Sequence, residues 1–368
     1  MHYLDANATE PLRPEARAAL AAALEVTGNP SSVHGAGRAA RRIIEDARES
    51  LAVLFCGRPA DLVFTSGGTE ADALAIHALG AGRRLIAGAT EHDAVRAATP
   101  GAVILPVDRR GVADLEALAA LLANGSPALV CLMLANNETG VLQPVAEAAA
   151  LCRRHGARLH VDAVQAAGRV PVDLATLGAD SLAVSSHKLG GPAGAGALLL
   201  APDVSAIAPL IAGGGQERGR RGGTPPVAVI AGFAAAAAAA RDAAARAPLR
   251  DAAEDAAVAC GAVVCGAGAA RLPNTTCLAF PGVRADAQVI ALDLAGVAIS
   301  AGAACSSGKV AASHVLQAMG LGALAGQAIR VSLPWNATAA DIAAFADAYA
   351  GMALRLRESL HATTASVA

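Results

Sequence analysis

SLAVSSHKLGGP, residues 181–192, holds a short apolar run, Leu182–Val184, that stops against two serines, a histidine and a lysine. A run this short and apolar, bounded by small and polar residues, reads as a strand buried on both faces. The same grammar recurs along the chain. Leu62–Phe64, Leu85–Ala87, Val103–Val107, Leu129–Leu134, Leu159–Val161 and Ala197–Leu200 are further runs of this type. Helical stretches such as Glu70–Leu79, Asp114–Leu122 and Pro144–Arg154 lie between them. Such alternation predicts right-handed crossovers and an α/β fold with a mostly parallel seven-stranded sheet.

The alternation fades after Thr224. One long helical segment is expected over Ala228–Ala259, followed by more widely spaced strands at Ala262–Cys265, Thr275–Phe280 and Ile329–Leu333. The run Ala234–Ala240 reads as helix, since Ala is the strongest helix former. The predicted organisation is a large α/β domain over 13–247 and a smaller α+β domain built from 1–12 and 248–368. A chain of 368 residues suits two domains.

Bulk properties exclude several classes. The net charge of −2 gives no reason to expect a nucleic-acid partner or an anionic membrane. The start, MHYLDANATE, has no apolar core of a secretory signal. The longest apolar run, Val227–Ala240, is mostly Ala, and a spanning helix needs about 20 strongly apolar residues. Seven cysteines without an export signal predict free thiols and a cytoplasmic protein.

Of 29 basic residues only two are lysines, Lys188 and Lys309. Arg replaces Lys wherever a surface needs only positive charge. It does not where chemistry needs a neutral amine, because the guanidinium stays protonated. A neutral amine is what attacks a carbonyl to form an imine. The competing reading is compositional bias, so the surroundings of Lys188 decide.

In a parallel sheet, ligands sit beyond the carboxyl ends of the strands. The residues after each predicted strand are therefore informative. Leu62–Phe64 leads into Thr65-Ser66-Gly67-Gly68-Thr69-Glu70, where small residues open a helix and favour an anion. The next strand ends bring His92, the pair Asn136–Asn137, Asp162 with Gln165, and Ser185, Ser186, His187 and Lys188. Each alone reads as an ordinary turn, cap or surface residue; together they line one sheet edge. An anion site, an imidazole, a carboxylate and a solitary lysine fit pyridoxal 5′-phosphate. Its phosphate needs a helix N-terminus and hydroxyls, its aldehyde a lysine, and its ring nitrogen a carboxylate.

With these residues placed, the chain resembles the cysteine desulfurases (NifS/IscS-like) of the class V aminotransferase family, whose fold is type I of the pyridoxal-phosphate enzymes. The strings that carry the resemblance run in order along almost the whole chain. They are YLDANAT at 3–9, GNPSSVHGAGRAA at 28–40, FTSGGTEAD at 64–72, TEHDAV at 90–95 and NNETG at 136–140. HVDAVQAAG at 160–168, SSHKLGGPAG at 185–194, GGGQERGRRGGTPP at 213–226 and GAACSSG at 302–308 complete them. The resemblance implies that Lys188 forms the imine with the cofactor and that His92 stacks on its ring and shares in proton transfer. It implies that Asp162 pairs with the ring nitrogen and Gln165 with the phenolic oxygen. Gly68, Thr69, Ser185 and His187 match phosphate-binding positions. Thr224 matches a residue that reaches the phosphate from the other subunit, which implies a homodimer. Asn137 and Arg330 match the clamp on the substrate carboxylate, a natural task for a bidentate guanidinium.

Six cysteines, Cys56, Cys131, Cys152, Cys260, Cys265 and Cys277, are expected to be structural. Cys305 differs: it stands in Ser300-Ala301-Gly302-Ala303-Ala304-Cys305-Ser306-Ser307-Gly308, a small, polar setting suited to a travelling nucleophile. It matches the family's persulfide-forming cysteine. Lys309, four residues on, reads as a solvated loop residue, with tuning of the thiol as the alternative. No spacing points to a metal. The implied reaction converts L-cysteine to L-alanine and passes sulfur from Cys305 to an acceptor protein, an iron–sulfur scaffold being one candidate. Iron–sulfur cluster assembly and tRNA thiolation are the implied destinations. The tail after Arg330 is shorter than in family members that dock such a scaffold, so docking is not carried over. Another class V reaction is the nearest rival, and a non-catalytic scaffold keeping the same fold is a second.

Overall fold

The computed structural model describes residues 1–204, 206–240, 243–302 and 312–365. Cys305 and Lys309 lie outside the described residues. Among the described residues there are thirteen short strands, in chain order β1 His2–Tyr3, β2 Leu62–Thr65, β3 Arg84–Gly88, β4 Val103–Leu105, β5 Ala128–Cys131, β6 Arg158–Asp162, β7 Ser181–Ser185 and β8 Gly196–Leu200. They continue with β9 Val263–Cys265, β10 Thr275–Ala279, β11 Val297–Ala298, β12 Ser300–Ala301 and β13 Ala328–Ser332.

Seven of them form the large sheet, in the order β2-β8-β7-β6-β5-β3-β4. The pairs β3–β4, β3–β5, β5–β6 and β6–β7 are parallel, while β8 runs antiparallel to both β7 and β2. The sheet is buried on both faces except at its edge strand β4, where Val103 and Ile104 are exposed. Successive residues point to opposite faces. Leu62 and Phe64 therefore join a core with Ile44, Leu51 and Val161, while Val63 joins another with Leu74, Leu129 and Leu198.

Two expected strands end early. β4 stops at Leu105, because Pro106 has no N–H to continue the ladder. β5 stops at Cys131, yet the N–H groups of Leu132 and Leu134 still reach His160 O at 3.0 Å and Asp162 O at 2.8 Å. The chain thus stays beside β6 up to the turn that begins at Asn136.

The single long helix expected over 228–259 is instead two, Val227–Ala239 and Ala247–Ala259, the second led in by a 3₁₀ turn over Ala243–Arg246. Pro248 sits in the first turn of the second helix, the one place where its missing N–H and fixed φ are harmless. The Ala-rich first helix packs against the helices Pro14–Leu24 and Gly35–Leu54. Its small side chains permit a close approach: a Cβ on Gly232 would stand 3.2 Å from Ala16 O. Among the described residues no single helix is long and apolar enough to cross a membrane.

The C-terminal part builds a four-stranded antiparallel sheet, β12-β13-β10-β9, and a parallel pair, β1–β11. Its core gathers Leu4, Phe280, Ile329, Val331, Phe345 and Tyr349. The first residues of the chain thus fold against the last third. That contact brings Asp5 beside Ser332 and aims the following turn at the edge of the large sheet.

Candidate functional site

The carboxyl ends of the large sheet surround a cavity of about 210 Å³. Gly68, Thr69, His92, Asn137, Asp162, Gln165, Ser185, His187 and Lys188 all line it. Nine residues picked from strand ends in the sequence are therefore brought together. Asp72 and Met133 line it too, and the sequence reading gave them no role.

The anion end is built by the helix Gly68–Leu79, which starts two residues earlier than its apolar pattern indicates. Gly68 and Thr69 are its first residues, so their N–H groups have no intrahelical acceptor. A Cβ on Gly68 would lie 2.6 Å from Val164 Cγ2, so only glycine fits there. Across from it, Ser185 Oγ is buried without a hydrogen-bond partner. Free helix N–H groups beside an unpartnered buried hydroxyl suit a phosphate. His187, whose Nδ1 lies 3.2 Å from Thr9 Oγ1, is pushed down to about 4 by burial and by the charges of Lys188 and Arg169. It is a neutral imidazole.

The opposite end is acidic and buried. Asp162 is pushed up to about 7, first by burial and then by the charge of Asp72; the Val164 N–H on its Oδ1 at 2.8 Å opposes this. A cation beside it would restore the carboxylate. Behind it, His160 Nε2 lies 3.1 Å from Asp72 Oδ1 and His160 Nδ1 lies 2.8 Å from Ser181 Oγ. Burial raises Asp72 to about 8 and lowers His160 to about 4. His92 caps the helix Asp93–Ala98, its Nδ1 accepting from Ala94 N–H at 3.1 Å. That bond orients the ring at the cavity wall.

Lys188 is the centre of the arrangement. It ends the 3₁₀ turn Ser186–Lys188, and Nζ donates to the carbonyls of Asn7 and Ala8, the latter at 2.9 Å. Burial, then the charges of Arg330 and Arg169, lowers its amine to about 7. A large fraction is unprotonated at neutral pH, the state a nucleophilic amine requires. Asn7 was read only as part of YLDANAT. Its backbone oxygen accepts from Lys188 and Gln165, and its Nδ2 donates to Asn137 O at 3.1 Å. No local signal marks it, because its partners are far away in sequence.

Two predicted residues do not line this cavity. Arg330 is buried in β13, a central strand; its Nη2 binds Asp5 Oδ1 at 2.7 Å, its Nη1 donates to Asn137 O at 3.1 Å, and its Nε has no partner. It is close enough to depress Lys188. Thr224 is exposed in the loop before the helix Val227–Ala239 and stands outside the cavity of its own chain. The cysteines also need a correction. Cys131, Cys152, Cys265 and Cys277 are buried and Cys260 is half-buried, but Cys56 is exposed. It turns the chain at φ 52°, a left-handed conformation usually left to glycine, so it is not a packed residue.

The sheet, the strand-end cavity and the lysine define a class. Residues 2–345 match the model of the class-V aminotransferases, and the chain belongs to that family. Among curated relatives, it is 44% identical to a cysteine desulfurase of Cereibacter sphaeroides, over 92% of either chain. It is 38% identical to an IscS-like cysteine desulfurase of Mycobacterium tuberculosis, over 98% of either chain. Among solved structures, a NifS-like protein from Rickettsia africae superposes with a TM-score of 0.88 at 34% identity, covering 96% of this chain and 99% of that one.

Proposed function

We propose that this protein is a pyridoxal-phosphate-dependent cysteine desulfurase, converting L-cysteine to L-alanine and leaving the sulfur on Cys305. The observation that carries the reading is Lys188. It is one of two lysines in the chain, it projects from a strand end, and its amine is brought to about 7 beside Asp162 and His92. The identity to enzymes named for this activity supports the substrate.

Bound in the cavity, the cofactor supplies an aldehyde that condenses with amines and an electron sink for charge developing at the substrate Cα. Gly68, Thr69, Ser185 and His187 would hold its phosphate, joined by Thr224 from a second subunit of a homodimer. Asp162 would hold the proton on the ring nitrogen, Gln165 would serve the phenolic oxygen, and His92 would support the ring. Asn137 and Arg330 hold the substrate carboxylate. Lys188 Nζ, once free, takes the Cα proton and returns it. Cys305 Sγ attacks the substrate sulfur: the Cβ–S bond breaks, an S–S bond forms, and the released carbon skeleton gains a proton to become alanine. L-Cysteine and one thiol thus give L-alanine and one persulfide, which an acceptor protein then collects. The free thiols of all six described cysteines fit a reducing cytoplasm.

The test is incubation with L-cysteine, scoring alanine and sulfide together, with and without an acceptor thiol. Alanine should equal the sulfur released. Cys305→Ala should still change the cofactor absorbance on adding L-cysteine yet release almost no sulfide. Normal sulfide output from that variant would remove Cys305 from the reaction. Formation of pyruvate or consumption of a keto acid would replace desulfuration by another class-V reaction.

A further inference from the structure

Glu138 has no part in the chemistry above, yet it is buried, 2% exposed, in the turn that carries Asn137. That turn is rigid. Asn136 Oδ1 accepts from the N–H groups of Glu138 and Thr139 at 3.0 and 2.9 Å and from Thr139 Oγ1 at 3.0 Å. Gly140 closes it at φ 74°, where a Cβ would stand 3.0 Å from Thr275 Cβ. Asn137 O is held in turn by Asn7 Nδ2 and Arg330 Nη1, both at 3.1 Å.

From this fixed base the Glu138 carboxylate reaches the second, C-terminal sheet region. Its Oε2 accepts from Ser313 Oγ at 2.6 Å. The same oxygen lies 3.1 Å from where a Cβ on Gly302 would stand, so the carboxylate rests against that glycine. Both contacted positions are themselves anchored. Gly302 N–H donates to Ala328 O at 3.1 Å, and Ser313 N–H donates to Ala325 O at 2.8 Å. Ser313 also caps the helix His314–Ala318 through Leu316 N–H. One buried carboxylate therefore touches the chain on both sides of the stretch that contains Cys305. Burial raises the Glu138 carboxyl, with Ser313 and Arg330 opposing, and the oxygen accepts from Ser313 in either protonation state.

We propose that Glu138 is a positioning residue: it fixes Gly302 and Ser313, the two points between which Cys305 is carried, and so sets where the sulfur nucleophile meets the substrate held by Asn137. This rests on the reading of Cys305 given above. The geometry links substrate grip and nucleophile delivery through neighbouring residues of one turn.

The test uses the full-length holoenzyme with Glu138→Ala, Glu138→Gln, Ser313→Ala and the Glu138→Ala/Ser313→Ala double variant. Three quantities are read: amide hydrogen exchange at Gly302 and Ser313, the absorbance change on adding L-cysteine, and the rate of persulfide appearance on Cys305 by mass spectrometry. In Glu138→Ala, which loses the Ser313 bond and the packing against Gly302, exchange at both amides should quicken and persulfide formation should slow, with the larger exchange change at Ser313, by about tenfold, the scale of one lost buried hydrogen bond. The absorbance change should stay within about twofold, because Asn137 O keeps its bonds from Asn7 and Arg330. Ser313→Ala should slow persulfide formation likewise, and the double variant should be no worse than either single one. Glu138→Gln keeps the acceptor and should restore both rates. Unchanged exchange at the two amides, or loading and sulfur transfer falling together, would overturn the inference. A wild-type enzyme that makes no persulfide at Cys305 would instead overturn the reading of Cys305, and the exchange data alone would then decide whether Glu138 fixes the two positions.

Discussion

The two edges of the seven-stranded sheet each carry a cavity, and the larger one is at the wrong edge. Beyond the amino ends of β6 and β7 lies a space of about 630 Å³ lined by Arg58, Arg83, Arg153, Arg158, Asp180 and Asp203, among others. Beyond the carboxyl ends lies the space of about 210 Å³ that holds Lys188. At the amino edge Arg158 meets its partners. Arg158 Nη1 binds both Asp180 and Asp203, the latter at 2.6 Å, which raises the guanidinium and lowers Asp203. At the carboxyl edge charges are stripped. Burial lifts Asp72 and Asp162 to about 8 and 7 and drops Lys188 and His187 to about 7 and 4. Volume does not mark a site; groups held near their neutral forms around a small space do.

Substitutions at the two edges should therefore part widely. The largest expected effect is Lys188→Ala, which should abolish covalent cofactor capture and cut turnover by about 10³-fold or more, the scale of a positioned proton-transfer group. Arg330→Ala should come next. The KM for L-cysteine should rise roughly a hundredfold, since truncating one partner of a buried charged pair costs about 2–5 kcal/mol. A smaller effect is expected in pH. The neutral fraction of Lys188 grows as pH rises through about 7, so cofactor capture by the apoprotein should quicken about tenfold between pH 6 and 8 and then level off. A rate still climbing at pH 10 would mean an ordinary, solvated lysine. The smallest effect belongs to the amino edge. Arg158→Ala should leave turnover within about twofold and cost about 1 kcal/mol or less in urea unfolding, because the pair is partly exposed. A loss comparable to Arg330→Ala would erase the distinction between the edges.

Much of this was legible in the sequence because it is local. Strand ends, the glycines at 67 and 68 and the lone lysine are each read within a few residues, and the parallel topology places them on one edge. What was not legible depends on distant contacts. Asp5 and Arg330 are 325 residues apart, and the Asn7 carbonyl that receives Lys188 is 181 residues away. Asp72 lies inside an ordinary helical pattern, and only the fold, by burying it beside His160, raises its carboxyl to about 8. The start of the second helix was readable in principle, since Pro248 favours a first helical turn, but the alanine-rich run hid the end of the first at Ala239. The exposure of Cys56 follows from a backbone turn that no residue preference signals.

With only two lysines in the chain, one measurement bears directly on the central claim that Lys188 is the amine around which the site is built. Apoprotein is mixed with pyridoxal phosphate, reduced with borohydride, digested and mapped by mass spectrometry. The cofactor mass should sit on the peptide containing Lys188. Finding it on Lys309, or finding no adduct at neutral pH, would contradict the account.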